Sequence, residues 1–268
     1  MRSAADGTLM STTIGVPDEK MATTTRLRND VLVVLPTYDE VENIDAISDA
    51  VLALGYRLLV VDDASPDGTG RRAEQLADGS RMSVLHREAK GGLGPAYGAG
   101  FGWGLAHDAS VLCEMDADFS HDPGDLRRLV AAIDAGADVA IGSRYVAAGG
   151  VVDWPLHRRA LSRGGNLYAG VMLGTGISDM TSGFRAFRAD ALRRLQPEGC
   201  RASGYAFQIE MAWRATILGL DIVEVPITFR DRLRGHSKMD RAIAWEAISL
   251  ITRWGVGRMA GRLPFRPE

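Results

Sequence analysis

Short apolar runs alternate with helical spacings through the first half of the chain. Val31-Leu32-Val33-Val34-Leu35 is continuous in the way of a parallel strand covered on both faces, and Pro36 is expected to end it. Ile44, Ile47, Val51 and Leu54 follow at helical spacing, with Asn43 placed as the cap. Leu58 to Val61, Met82 to His86, Val111 to Met115 and Val139 to Ile141 read as further strands. Before the last of these, Asp122 and Pro123 suit the cap and first turn of a helix running to about Ala135. Strands separated by helical patterns specify an α/β fold with a doubly wound, mostly parallel, Rossmann-like sheet. Such a sheet binds ligands at the carboxyl ends of its strands.

Beyond Gly150 the pattern changes. Trp154 to Arg163 mixes arginines with apolar residues, and Leu167 to Leu173 continues the helix. Arg158, Arg159 and Arg163 on such a helix suit lipid headgroups, and they suit a solvated face nearly as well. Tyr205 to Ala212 opens another helix, with Gln208 and Glu210 close together in it, and Ile222 to Phe229 reads as a strand. Ile243, Trp245, Ile248, Leu250, Ile251 and Trp254 make the last segment amphipathic, fit for a membrane interface, a partner helix or packing on the domain.

Composition narrows the classes. A chain of 268 residues with 46% apolar content can bury a large core, and 31 Lys+Arg against 34 Asp+Glu leave no net field for nucleic acid. Cys113 and Cys200 give neither a disulfide framework nor zinc spacing, which suits a reducing cytosol. No run approaches the roughly 20 apolar residues of a spanning helix. The segment through about Asn29 has no secretory signal pattern and is expected to be a disordered tail.

Candidate chemistry collects where strands end. Asp116 and Asp118, two apart on the loop leaving Val111–Met115, are spaced to approach one hard cation, and a cation held by carboxylates can hold a diphosphate. Asp118 and Asp122 also suit plain turn and cap chemistry. Tyr38, in Pro36-Thr37-Tyr38-Asp39-Glu40, offers a ring to stack on a base or sugar. A carboxylate in the Asp62-Asp63 loop is placed for a ribose or base, whereas Asp67-Gly68 reads as a turn. Lys90 leads a glycine-containing stretch that lacks the order of a phosphate loop or a dinucleotide site, which argues against an ordinary kinase or dehydrogenase. Arg144 leaves a strand end with a planar guanidinium suited to a phosphate oxyanion. Asp179 is a further carboxylate candidate, and the cationic loop Arg230 to Lys238 suits closure over a diphosphate or mere surface charge.

Taken together, Pro36 to Glu40, Val60 to Thr69, Lys90 to Tyr97, Met115 to Pro123, Gly142 to Tyr145, Thr181 to Arg185 and Gly235 to Lys238 resemble the inverting family 2 glycosyltransferases, and most closely the dolichol-phosphate or polyprenol-phosphate mannose synthases. The resemblance implies a GT-A fold over residues 30–238, after a tail through residue 29 and before an amphipathic helix and tail over 239–268. It implies a dolichyl/polyprenyl-phosphate β-mannosyltransferase that uses GDP-mannose, a polyprenyl phosphate lipid and Mg2+ or Mn2+. By position it assigns Pro36, Tyr38, Glu40, Val61 and Asp63 to the nucleotide, and Asp116, Ala117 and Asp118 to the metal and diphosphate. Arg144, Arg232 and Lys238 fall on positions that hold phosphate groups. Ser120 stands where some members carry a Gln metal ligand, so a hydroxyl or water takes that role here. The absence of a spanning run resembles those members that work at the cytosolic face of a membrane with a separate membrane-anchoring partner. UDP-glucose or UDP-N-acetylglucosamine transfer, and a catalytically idle sugar-nucleotide-binding subunit, are the rival readings.

Overall fold

A computed structural model describes residues 28–200, 202, 204–231 and 241–262. Of the tail expected through about Asn29, residues 1–27 lie outside the described residues, as do the candidates Arg232 and Lys238, while Arg28 and Asn29 already belong to the first strand. Nine strands and eight helices follow in chain order among the described residues: β1 (Arg28–Thr37), α1 (Ile44–Leu52), β2 (Tyr56–Asp62), α2 (Thr69–Leu76), β3 (Met82–His86), α3 (Leu93–Ala106), β4 (Val111–Glu114), α4 (Leu126–Asp134), β5 (Val139–Ser143), β6 (Gly150–Val151), α5 (Leu156–Leu173), β7 (Arg185–Arg188), α6 (Ala189–Leu195), α7 (Gly204–Ile217), β8 (Ile222–Pro226), β9 (Thr228–Phe229) and α8 (Arg241–Met259).

Seven strands form one sheet in the order β3-β2-β1-β4-β7-β5-β8. Every pairing in it is parallel except those of β7, which runs antiparallel between β4 and β5. The continuous apolar runs are explained by burial on both faces. Val31, Val33 and Leu35 of β1 face one core with α1 and α4, while Leu32 and Val34 face a second core with α3, α6 and α7. A third cluster, around Trp213 of α7 and Ile251 of α8, ties α5, α7 and α8 together. The C-terminal helix therefore packs one face on the domain.

The chain leaves β1, builds outward to β3, and returns to β4 on the other side of β1, so a topological switch point lies between β1 and β4. Their pairing stops at Val34 opposite Glu114, while β1 stays paired with β2 as far as Thr37 opposite Asp62. This corrects one expectation, because Pro36 lies inside β1 and does not end it. Past Val34 one edge of β1 has no strand beside it, so a residue without an N–H is tolerated there.

Three other boundaries differ from the sequence pattern. Asn43 does not cap α1 with its side chain; its amide donates to Glu40 instead, at 2.9 Å. The helix expected from Pro123 opens as a 3-10 turn over Pro123–Asp125 and becomes α-helical from Leu126, with Asp122 capping as expected by accepting from the Gly124 amide at 2.8 Å. The expected strand over 222–229 divides at Ile227. β8 joins the main sheet beside β5, and β9 pairs with β6 in a separate two-stranded ribbon.

Candidate active site

Three strand exits bound the crevice at the switch point. Each contains a non-glycine residue in the left-handed region: Asp39 after β1, Ala64 after β2 and Phe119 after β4, at φ of 56°, 60° and 58°. Such backbone costs on the order of 1 kcal/mol per residue and persists where surrounding bonds over-determine it. Those bonds are present. The Glu40 amide donates to Thr69 Oγ1 at 3.0 Å, the Val41 amide to Asp67 Oδ2 at 3.0 Å and the Thr69 amide to Asp67 Oδ1 at 2.9 Å. Asp67 is thus the turn residue its sequence context suggests, and it stitches the loop after β2 to the loop after β1.

Asp63 does similar work for the glycine loop. Its carboxylate accepts from the Gly91 amide at 3.0 Å and the Gly92 amide at 2.8 Å, and the Arg87 guanidinium bonds it as well. Gly92 has φ of 87°, a conformation that favours glycine, so the residue type is required there. The expectation of a nucleotide contact from Asp63 meets a carboxylate already occupied in holding residues 87–92. Lys90 sits with its ammonium 3.5 Å from the centroid of the Tyr38 ring, so the two candidates from different loops meet in a cation–π contact. The Val61 side chain is buried against α3, which leaves only its main chain for a ligand.

Across the crevice, Asp116, Ala117 and Asp118 follow β4. Asp118 is buried and accepts from the Ser120 amide at 3.0 Å, which fixes the loop around the left-handed Phe119. The Ser120 hydroxyl is buried without a hydrogen-bond partner among the described residues. Two carboxylates and that hydroxyl are hard oxygen donors. A cation of the magnesium type takes one or two protein carboxylates and completes its shell with water and substrate phosphate. No group of three or more His, Cys, Asp and Glu that could hold a metal ion occurs among the described residues.

Arg144, expected to suit a phosphate oxyanion, leaves the end of β5 with its guanidinium already engaged by the protein. It is 6% exposed, and its Nε and Nη2 bond Asp179 at 2.7 and 2.6 Å, with a further Nη2 bond to Thr181 Oγ1 at 2.7 Å. Burial pushes the Asp179 pKa up, but the Arg144 bonds outweigh it and the net shift is downward. The Arg144 guanidinium also lies within 6 Å of the rings of Tyr145, Trp154 and Phe229, at 5.3, 5.7 and 5.4 Å. Asp179, a further carboxylate candidate in the sequence, is therefore the counter-ion of Arg144.

Two buried groups beside this site were not among the sequence candidates. His121 stacks on Phe184 at 4.8 Å and meets Phe229 edge-on at 5.2 Å, and its Nδ1 has no partner among the described residues. Burial pushes its pKa down to about 4, opposed by Asp118 and reinforced by Arg144, so the ring is neutral near pH 7. Glu114, the last residue of β4, is fully buried opposite Arg185 of β7, and burial raises its pKa to about 7. Gln208 of α7 lies against it, although neither side chain reaches hydrogen-bonding geometry. The position of His121 directly after the acidic loop was the one available signal.

Residues 32–196 match the family described as glycosyl transferase family 2. The chain is 48% identical to the polyprenol monophosphomannose synthase of Mycolicibacterium smegmatis over 241 residues, covering 88% of this chain and 91% of that one. It is also 48% identical to the undecaprenyl-phosphate mannosyltransferase of Micrococcus luteus over 231 residues, covering 84% and 94%. The dolichol-phosphate mannosyltransferase of Pyrococcus furiosus is 36% identical over 229 residues, 83% of this chain and 63% of that one. In fold, the chain superposes on glucosyl-3-phosphoglycerate synthase of Mycobacterium tuberculosis, solved with Mn2+ and uridine diphosphate, with a TM-score of 0.58 at 21% identity over 88% of this chain and 81% of that one.

Proposed function

The chain belongs to glycosyl transferase family 2, with the GT-A fold, and from that premise we propose that it transfers mannose from GDP-mannose to a polyprenyl phosphate with inversion. The observation that carries this reading is the order of charges along one sheet edge. Asp116 and Asp118 leave β4, and a buried Arg144 held by Asp179 leaves β5, with only β7 between the two strands, in a chain nearly half identical to two polyprenyl-phosphate mannosyl transferases.

A phosphate monoester carries about −1.5 to −2 charge near neutral pH, so the attacking oxygen needs no strong base. The chain's task is then positioning. Asp116 and Asp118, with Ser120 beside them, are the residues that would hold Mg2+ or Mn2+. When bound, such a cation offsets the charge that develops on the departing diphosphate. Tyr38 and the stitched loops 38–41 and 63–69 form the nucleotide's wall, and Arg144, held by Asp179, orients an anionic acceptor. The neutral His121 adds no charge between the two. Attack from the face opposite the diphosphate gives the inverted linkage.

A lipid acceptor requires contact with a membrane. No described helix is long and apolar enough to cross one. Among the described residues, the large apolar side chains left exposed, other than Val41 and Val223, all lie on α5 and α8; Leu156 and Trp245 are 80% and 73% exposed. These helices pack together, with Tyr168 and Thr252 hydroxyls 2.6 Å apart, and they carry arginines with a single acidic residue, Glu246. Exposed apolar side chains on helices that also carry arginines suit the anionic cytosolic leaflet and a membrane-anchoring partner within it.

The test is transfer of radiolabelled mannose from GDP-mannose into organic-extractable lipid, with and without chelator. UDP-glucose and UDP-N-acetylglucosamine serve as competing donors. Chelator-sensitive labelling from GDP-mannose alone is expected; transfer from a UDP-sugar instead would overturn the donor assignment.

A further inference from the structure

Thr181 stands where the lipid-facing helix meets the phosphate-side arginine, and all of its hydroxyl capacity is used there. Its Oγ1 accepts from Arg144 Nη2 at 2.7 Å and from Asn166 Nδ2 at 3.2 Å, and donates to Asp179 Oδ1 at 3.3 Å. One donor and two acceptor sites are what a hydroxyl possesses. Asn166 belongs to α5, on the buried side with Ala169 and Leu173, while Leu167 and Val171 face outward from the same helix. Its Oδ1 accepts from the Met180 amide at 2.8 Å and its Nδ2 also donates to the Ser162 carbonyl at 3.0 Å. The loop is held from beneath as well, because the buried Arg185 donates to the carbonyls of Met180 and Ser182, both at 2.9 Å.

We propose that Thr181 is a positioning residue for the acceptor: its hydroxyl sets the angle of the Arg144 guanidinium against Asp179 and registers it to α5, the helix whose outer face meets the lipid. This rests on the reading of Arg144 as the acceptor-phosphate ligand. Among the described bonds of the Thr181 hydroxyl none comes from the donor wall, so the effect of losing it is expected on the acceptor. Removal of the hydroxyl leaves no stranded charge, since Arg144 keeps both Asp179 bonds and Asn166 keeps Ser162, and the backbone on either side of Thr181 stays pinned by Arg185.

The experiment compares Thr181→Val with Thr181→Ser in the full chain. It measures KM for GDP-mannose, KM for polyprenyl phosphate in vesicles, kcat and thermal stability. Thr181→Val is expected to raise the acceptor KM about tenfold, the scale of one hydrogen bond to a charged group, with the donor KM within about twofold. Thr181→Ser, which keeps the hydroxyl, is expected to recover most of that loss. An unchanged acceptor KM in Thr181→Val, an equal rise in both KM values, or a Thr181→Ser as impaired as the valine variant would each overturn the proposal. Should Thr181→Val fail to fold, Thr181→Ala carries the same comparison. Arg144→Ala is measured alongside. If it leaves the acceptor KM unchanged, the reading of Arg144 itself has failed; if it raises that KM while Thr181→Val does not, only the role of Thr181 is lost.

Discussion

The wall of the crevice built by β1, β2 and β3 holds its charges in short loops stitched to one another, whereas the wall built around α5, β7 and α8 holds arginines on buried partners and leaves apolar surface uncovered. On the first wall, Asp63 and Asp67 accept from backbone amides of neighbouring loops, so acidic side chains serve as internal fasteners and the loop geometry is set by the chain itself. On the second, Arg144 and Arg185 are fixed by Asp179 and by main-chain carbonyls, while α5 and α8 present leucine, valine and tryptophan outward. A nucleotide is a small, soluble, stiff ligand and suits a wall formed in advance. A polyprenyl phosphate is carried in a bilayer, and under the proposed function its wall is left to be completed there.

The sharpest way to break this contrast is at the acidic loop between the walls. Asp118→Ala is expected to lower kcat about a thousandfold, the upper range for removing one electrostatic stabiliser, with little change in unfolding temperature. Full activity in that variant would mean that the carboxylate pair is only a turn. The next largest effect is expected at His121, read as stability in chelator. Its folded pKa of about 4 lies below the ordinary value near 6.5, so the stability contributed by the neutral ring is complete above pH 6.5 and is lost as the pH falls toward 4. His121→Phe keeps the ring stacked between Phe184 and Phe229 and removes this loss. At pH 4.5 it should gain up to about 3 kcal/mol over wild type relative to pH 7.5, measured by urea unfolding. Glu114 acts with the opposite sign, since its raised pKa makes stability fall as pH rises from about 4.5 toward 7. The difference between variant and wild type isolates the His121 part, and parallel pH profiles for the two proteins would refute it.

Smaller again is the effect on the open wall. Trp245→Glu replaces a largely exposed ring of α8 with a charge, and its partition into anionic vesicles should fall at least about tenfold, from the lost burial of one large side chain. Activity on a long-chain acceptor in vesicles should fall with it, while turnover of a water-soluble short-chain prenyl phosphate stays near wild type. Equal loss on both acceptors would place Trp245 in the packing of the domain.

The two walls were not equally legible in the sequence. Runs such as Val31 to Leu35 and Leu58 to Val61 announce doubly buried strands, and the acids that follow them fall at the sheet edge for a topological reason, so Asp63, Asp116 and Asp118 could be placed without coordinates. What the pattern could not supply is the partner across the sheet. Asp179 reads as one more carboxylate candidate until β7 is seen to run antiparallel between β4 and β5, which brings its loop onto Arg144. Pro36 reads as a strand stop because the early end of the β1–β4 pairing is a tertiary fact. The amphipathic character of α8 was visible, but which face packs on α5 and α7 follows only from Trp213 and Tyr168.

Lys90 gives the finest test of the preformed wall. In sequence it is a candidate phosphate ligand; in the structure its ammonium lies over the Tyr38 ring and joins the glycine loop to the exit of β1. These two roles differ in size. A cation–π contact at a partly exposed site is worth about 0.5–1 kcal/mol, so Lys90→Met should raise the KM for GDP-mannose only about two- to fivefold, and Lys90→Arg, which can also stack, should raise it less. A direct bond from the ammonium to a diphosphate is a charge-assisted contact, and its loss should weaken the donor tenfold or more. Titration of donor binding by calorimetry separates the two, and a large loss in Lys90→Met would mean that this wall, too, is completed by its ligand.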